Sequence, residues 1–278
     1  MLDIHTHLYF PQYDTDRSDV LSRAFSSKIT TMISVSTEPD DHAQALEIAS
    51  LDDRIFASVG LHPHTLNDHF EDESWKNTAL LELAYLIHAN KKIIAIGECG
   101  LDYYSHTIDL ITDAQKKWQK SGFISQLQLA KKYELPVIIH CRDAYEDLFA
   151  ILSEATKDQG QHQQQFVIHC YMGDVEVTQQ FLTLPHVYFS FTGNITYPVK
   201  KIFEGTKNDP AEVVRCIPLE RMFIETDCPF LAPVPHRGKR NEPSFVVEVA
   251  KKIAEIKQVD QRLFEDILEQ SAKKVFGI

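Results

Sequence analysis

Near its start the chain reads Leu2-Asp3-Ile4-His5-Thr6-His7-Leu8, and this stretch decides between two α/β architectures. A short apolar run that opens an alternating strand and helix pattern belongs either to a doubly wound sheet or to a closed barrel. The doubly wound sheet more often carries a glycine-rich, phosphate-binding turn after its first strand. Here that place is held by His-Thr-His. His5 and His7 are two residues apart, so strand periodicity puts both on one face, within reach of one ion.

Working outward, short apolar, β-branched runs recur at 2–4, 29–35, 55–60, 93–96, 137–139, 166–168, 187–191 and 222–224. They are mostly too apolar for half-solvated strands, and near-continuous hydrophobic runs indicate parallel strands buried on both faces. Apolar residues at helical spacing fill the intervals at 16–25, 40–49, 75–87, 123–133, 144–152 and 175–182, with two more amphipathic segments at 245–256 and 262–275. Eight strands alternating with helices predict one (β/α)8 barrel, the TIM barrel, spanning residues 1–278 as a single domain. No linker, repeat or low-complexity tract divides the chain.

The bulk properties narrow the function. With 44% hydrophobic and 24% charged residues the composition is that of an ordinary globular protein. No apolar run approaches a membrane span, and the N-terminus lacks a basic region followed by an apolar stretch. A net charge of −12 argues against a broad basic nucleic-acid surface, although bound cations would supply local positive charge. Five cysteines, an odd number, argue against a disulfide framework and point to a reducing cytoplasm.

Catalytic residues of such barrels lie at the C-terminal ends of the strands, and these ends carry the chemistry. His5-Thr6-His7 follows the first run, Gly60-Leu61-His62-Pro63-His64 the third, and Gly97-Glu98 the fourth. His140 follows the fifth, His169 the sixth, and Glu225-Thr226-Asp227 the eighth. Thirteen histidines placed at random would rarely do this. His5, His7, Glu98, His140, His169 and Asp227 are the expected metal ligands. They exceed what one tetrahedral zinc needs and fit two divalent cations with a carboxylate between them. Glu98, on a middle strand, is the expected bridge. Imidazoles with carboxylates suit Zn, Mn, Co or Ni; Mg prefers more oxygen. The two-residue spacing also puts Asp3 and Glu225 on the faces of His5 and Asp227.

A lone histidine at a strand end is usually a hydrogen-bonded core or loop residue, and His64, His69, His88, His106, His162, His186 and His236 are read that way by default. Cys99, Cys141, Cys170 and Cys228 each follow a proposed ligand; strand alternation turns them away from it, toward helix packing.

Taken together, these motifs resemble the TatD-type metal-dependent deoxyribonucleases, within the amidohydrolase-like barrels. The resemblance spans residues 2–277. It rests on Asp3-Ile4-His5-Thr6-His7-Leu8, residues 60–64, Ile96-Gly97-Glu98-Cys99-Gly100-Leu101-Asp102-Tyr103, residues 136–142, Glu225-Thr226-Asp227-Cys228-Pro229 and Arg237-Gly238-Lys239-Arg240-Asn241-Glu242-Pro243. It implies two divalent metals per subunit (Mg, Mn, Zn, Co or Ni) and phosphodiester hydrolysis of DNA, typically 3′-to-5′ on single strands or 3′ ends, by two-metal activation of a bridging water. Carried over residue by residue, the ligands are the same six. Three places depart: where the family has a Phe-Ser-Gly-Ser-like sequence after the sixth-strand His, this chain has Tyr171-Met172-Gly173-Asp174, with a carboxylate near the expected phosphate site; the stretch between Tyr104 and Gln119 is a few residues longer than usual; and Ser271 stands where an Asn is common.

In that mechanism Asp227 binds a metal and takes the water's proton. Glu225 either assists or accepts a hydrogen bond from a ligating imidazole. His62 and His64 contact the phosphate or a metal, or are solvated. Arg142, two residues past His140, faces a phosphate oxygen. Arg237, Lys239 and Asn241 supply the phosphate side of the loop after the eighth strand, and Tyr103, Tyr104 or Tyr171 stack on bases or pack. The expected partner is DNA, with no membrane, in the cytoplasm and as a monomer. Two other readings stand beside this one: a metal-dependent ester hydrolase such as a D-aminoacyl-tRNA deacylase, and a catalytically silent binding scaffold.

Overall fold

In a computed structural model, which describes residues 1–104, 110–157 and 163–278, eight parallel strands lie side by side in sequence order. They are β1 (Leu2–Thr6), β2 (Thr31–Val35), β3 (Ile55–Val59), β4 (Ile93–Asp102), β5 (Val137–Arg142), β6 (Phe166–Ile168), β7 (Val187–Phe191) and β8 (Met222–Ile224). β8 meets β1 through a few bonds in place of a full ladder: Asp227 N–H donates to His5 O at 2.9 Å, and His7 N–H to Cys228 O at 2.9 Å. The barrel is thereby nearly closed at its catalytic end, as the alternating pattern predicts.

The helices are α1 (Arg17–Ser26), α2 (Pro39–Ser50), α3 (Pro63–Asp68), α4 (Glu73–Ala89), α5 (Asp113–Tyr133), α6 (Tyr145–Ala155), α7 (Val175–Leu182), α8 (Pro210–Cys216), α9 (Val246–Lys257) and α10 (Gln261–Phe276). Their apolar stripes, with Phe123, Phe181 and Phe264 fully buried, cover the outside of the sheet. The periodicity misses α3 and α8, each too short to show a repeat, and it starts α5 ten residues late. Thr112 caps α5 with a reciprocal Gln115 contact. That capping box marks the true start in a segment with little apolar periodicity. Among the described residues no helix is long and apolar enough to cross a membrane.

Two irregularities in the ladder aim the site. Between Asp3 and Thr6, β1 holds one more residue than the matching stretch of β2. Between Ile96 and Cys99, β4 does the same against β5. Such bulges break the two-residue alternation and redirect side chains. At the second, Gly97 has φ +147°, and a Cβ there would stand 2.5 Å from the Ile138 carbonyl oxygen, so only glycine fits. Glu98 N–H then pairs with Ser36 O at 3.0 Å.

Candidate metal centre

The bulge delivers Glu98, 4% exposed, to the middle of a histidine cluster. Its Oε2 lies 3.3 Å from His5 Nε2. Its Oε1 lies 2.7 Å from His140 Nδ1, 2.8 Å from His169 Nε2 and 3.6 Å from His62 Nε2. On the His5 side, His7 Nε2 is 3.2 Å from His5 Nε2, and Asp227 Oδ1 is 3.4 Å from His7 Nε2 and 3.9 Å from His5 Nε2. The structure therefore brings together all six residues expected as ligands, with one carboxylate facing two histidine groups.

The tautomers follow from what the outer ring nitrogens touch. His7 Nδ1 lies 2.9 Å from Val35 O and donates to it, which leaves Nε2 with its lone pair inward. His169 Nδ1 faces Glu225 Oε1 at 3.3 Å. His140 Nε2 faces Asp102 Oδ2 at 3.2 Å. For His7 and His140 an acceptor holds the outer N–H and turns a bare nitrogen to the centre, the arrangement that orients metal-binding imidazoles, and at His169 the Glu225 carboxylate stands beside the outer nitrogen at ion-pair distance. Two inward nitrogens, His140 Nδ1 and His169 Nε2, are 3.3 Å apart and both close to Glu98. Acceptors so placed need a cation, or a proton, between them. The donor set of imidazole nitrogens and carboxylate oxygens fits divalent metals of the borderline kind.

His62 differs. Its Nδ1 accepts the His64 N–H at 3.1 Å as the N-cap of α3, so Nε2 carries the proton and points into the cleft as a donor. Burial holds this imidazole well below its ordinary pKa, and neighbouring His140 adds to the effect, so it stays neutral. It suits a phosphate oxygen better than a metal.

Electrostatics bind the cluster together. Burial alone would raise the Glu98 carboxyl, but His169, His62 and His5 outweigh it and hold the group well below the usual carboxylate range. Burial would likewise raise Asp227, yet the His7 hydrogen bond and the charges of His5 and His169 lower it. For His169 burial pushes down, while Glu98 and Glu225 push harder, leaving it well above an ordinary histidine.

Other expected residues fall differently. Glu225 is fully buried; Oε1 accepts the Cys170 N–H at 2.6 Å and faces His169, so it stands behind that imidazole and does not line the cleft. Asp3 does not join His5 in the cluster: its carboxylate accepts the Thr226 hydroxyl at 2.6 Å and backbone N–H at 2.9 Å, tying β1 to β8. The β1 bulge is the physical reason. Cys141 and Cys170 line the cleft instead of facing helices, Cys170 because its φ is +44°. Asn241 is buried, with its amide donating to Thr226 O and Phe230 O, and so braces the loop. Arg237 stacks on Tyr197 and lies with Lys239 in the exposed part of the loop, outside the cleft lining. Tyr171 is buried, its hydroxyl 2.9 Å from Thr178 Oγ1. Tyr103 donates to Asp147, and Tyr104 lies under the Arg142 guanidinium at 3.5 Å. His106 and His162 lie outside the described residues.

The cleft has a volume of about 830 Å³, and Arg142, His62 and His64 line it as expected. Three further residues emerge there. Asp102 takes His64 Nε2 at 3.0 Å as well as His140. Beyond the bulge, Glu98, Gly100 and Asp102 share a face, and Gly100 pairs with His140. The two-residue spacing held that signal, but the apolar run ends at Ile96 and conceals the strand's continuation. Phe10 stacks on His7 at 5.1 Å, and Phe230, 49% exposed, meets Phe10 edge-on at the rim. Isolated aromatics in loops carry no sequence signal.

A parallel barrel that gathers imidazoles and carboxylates at its strand ends defines a metal-dependent hydrolase. The chain belongs to the family described as TatD related DNase, whose model matches residues 2–277. It is 39% identical to the metal-dependent hydrolase YabD of Bacillus subtilis (strain 168), with the alignment covering 100% of this chain and 99% of that one. It is 29% identical, over 100% and 99% of the two chains, to a protein of Escherichia fergusonii named 3'-5' ssDNA/RNA exonuclease TatD. Among solved structures, YJJV, a TatD homologue from Escherichia coli K12, superposes with a TM-score of 0.85 at 26% identity, covering 100% of this chain and 98% of that one.

Proposed function

We propose that this chain is a two-metal phosphodiesterase that removes nucleotides from the 3′ end of single-stranded DNA. The observation that carries the reading is the division of Glu98 between two histidine groups, Oε2 toward His5 and Oε1 toward His140 and His169. Asp227 completes the first group, so His5, His7, Glu98 and Asp227 would hold one cation and Glu98, His140 and His169 the other. Bound there, two divalent ions would supply a water of lowered pKa and positive charge for the attacking and leaving oxygens.

The protein's own groups do the rest. The Asp227 carboxylate, kept ionised by His7, accepts the proton of the attacking water. His62 Nε2–H and the Arg142 guanidinium hold phosphate oxygens. Tyr104 stiffens Arg142 from below. Phe10 and Phe230 offer a stacking edge for a single strand. The name of the Escherichia fergusonii relative supports the substrate and polarity. Five free thiols among the described residues support a reducing, cytoplasmic setting.

The test offers the metal-loaded protein a 5′-labelled single-stranded oligonucleotide, with D-aminoacyl-tRNA alongside. A ladder shortening from the 3′ end, abolished by EDTA, is expected. An intact oligonucleotide beside rapid deacylation would overturn the reading in favour of the ester hydrolase.

A further inference from the structure

A second chamber, of about 500 Å³, opens beside the metal cleft and shares Met172 and Asn194 with it. Its wall is the segment that departs from the family pattern. Cys170, in the left-handed region at φ +44°, throws the chain outward from the end of β6, and Glu225 holds its N–H. Tyr171 folds beneath the wall and is pinned by Thr178; a Cβ at position 173 would strike its hydroxyl, so Gly173 lets the turn lie on the ring. Asp174, which in sequence looks like a carboxylate facing phosphate, is spent elsewhere. Its Oδ1 caps α7 through the Val177 N–H at 2.8 Å, and its Oδ2 lies 3.4 Å from Lys207 Nζ.

We infer that this chamber is a base pocket, taking the nucleobase of a nucleotide adjoining the scissile phosphate. The inference rests on the phosphodiesterase reading. The chamber suits a flat, neutral, hydrogen-bonding group and not an anion: Phe191 and Phe203 give apolar faces, Asn194 and Asn208 give amides, and among the described residues no Lys or Arg lines it. Its size lies within the range of small-molecule pockets. Asn194, shared by chamber and cleft, sits with its Nδ2 3.9 Å from Sγ of Cys170, the residue that follows His169, so the chamber adjoins the proposed metal site. Aromatic faces accept any base, and an amide offers both donor and acceptor to a base edge. The pocket therefore favours nucleotides over base-free phosphodiesters with only modest preference among bases.

The experiment uses the metal-loaded full chain, its Phe203→Ala and Asn208→Ala variants, and two substrates. One is oligothymidylate; the other carries an abasic tetrahydrofuran sugar at either position flanking the scissile bond. The wild type is expected to lose about tenfold in kcat/KM when one of the two bases is missing. Each variant is expected to lose severalfold or more on oligothymidylate but little on the abasic strand, at unchanged metal content and thermal midpoint. Asn208 is exposed, so its truncation leaves the core untouched. Equal cleavage of normal and abasic strands by the wild type, or full base discrimination in both variants, would overturn the pocket alone. A wild type that turns over D-aminoacyl esters but no oligonucleotide would overturn the phosphodiesterase reading and the pocket with it.

Discussion

Glu225 Oε1 lies 3.3 Å from His169 Nδ1, on the side of the ring away from the metal cluster. The carboxylate stands against the outer nitrogen while Nε2 faces Glu98, and carboxylates beside the outer nitrogen of a metal-binding imidazole typically control metal affinity by about 10–100-fold. Glu225→Gln should weaken binding at the His140–His169 position within that range, and Glu225→Ala more strongly, since it also abandons the buried Cys170 N–H. Titration with Mn²⁺ or Zn²⁺ reads this directly; unaltered affinity in both variants would reduce Glu225 to packing.

Asp227→Asn keeps the shape of the side chain but removes the group proposed to accept the water's proton. Hydrolysis should fall by about 10²–10⁴-fold, the range of general-base contributions, with the thermal midpoint preserved. Full activity in a folded Asp227→Asn protein would remove the residue from the reaction.

Metal loading should rise with pH through the neutral range. In the metal-free chain, burial lowers the His169 pKa but Glu98 and Glu225 outweigh it and raise it well above its ordinary value. The imidazole thus holds a proton at neutral pH that a cation must displace, and acid favours the proton. Calorimetric titrations in buffers of different ionisation enthalpy should show proton release on binding. The absence of any buffer dependence would contradict this assignment.

Arg23 on α1 grips Glu242 with Nε at 2.8 Å and Nη2 at 2.6 Å, anchoring the loop after β8. Burial would raise the Glu242 carboxyl, but Arg23 and Ser244 lower it below its ordinary value. A depressed carboxylate stabilises the fold above the ordinary glutamate pKa, and that contribution fades as pH falls through the lowered value. Arg23 is about half exposed, so screening limits the pair to about 1 kcal/mol, or about 2–4 °C. Thermal melts of Arg23→Ala should show that loss at neutral pH and a flatter decline below pH 4.5. Parallel curves for variant and wild type would show that the pair carries no such linkage.

Much of this was legible in one dimension. The strands at 166–168, 187–191 and 222–224 match the apolar runs residue for residue, because burial on both faces demands continuous hydrophobicity. Residues at the ends of such runs fall at one end of the barrel whatever the details, so His5, His7, Glu98, His140, His169 and Asp227 could be placed together from order alone. Asn241, Arg237 and Lys239 could not. Their position depends on how a loop folds over the barrel, and there Arg240 is drawn to Asp16 at 2.6 Å while Asn241 turns inward.

The sequence by itself determined the eightfold alternation and which residues gather at the strand ends, since hydrophobicity and spacing are properties of neighbours along the chain. Tertiary structure alone decided the aim of those residues. The bulges in β1 and β4 and the left-handed turns at Cys170 and Asp227 reverse local alternation. Three of the four are held by partners distant in sequence: Ser36 receives the Glu98 N–H, Glu225 the Cys170 N–H and His5 the Asp227 N–H. A side chain's direction at such points is set by partners tens to hundreds of residues away. That is why Glu98 could be placed between the histidine groups from sequence, while Asp102 beside His140 and the chamber behind Tyr171 emerged only from the folded barrel.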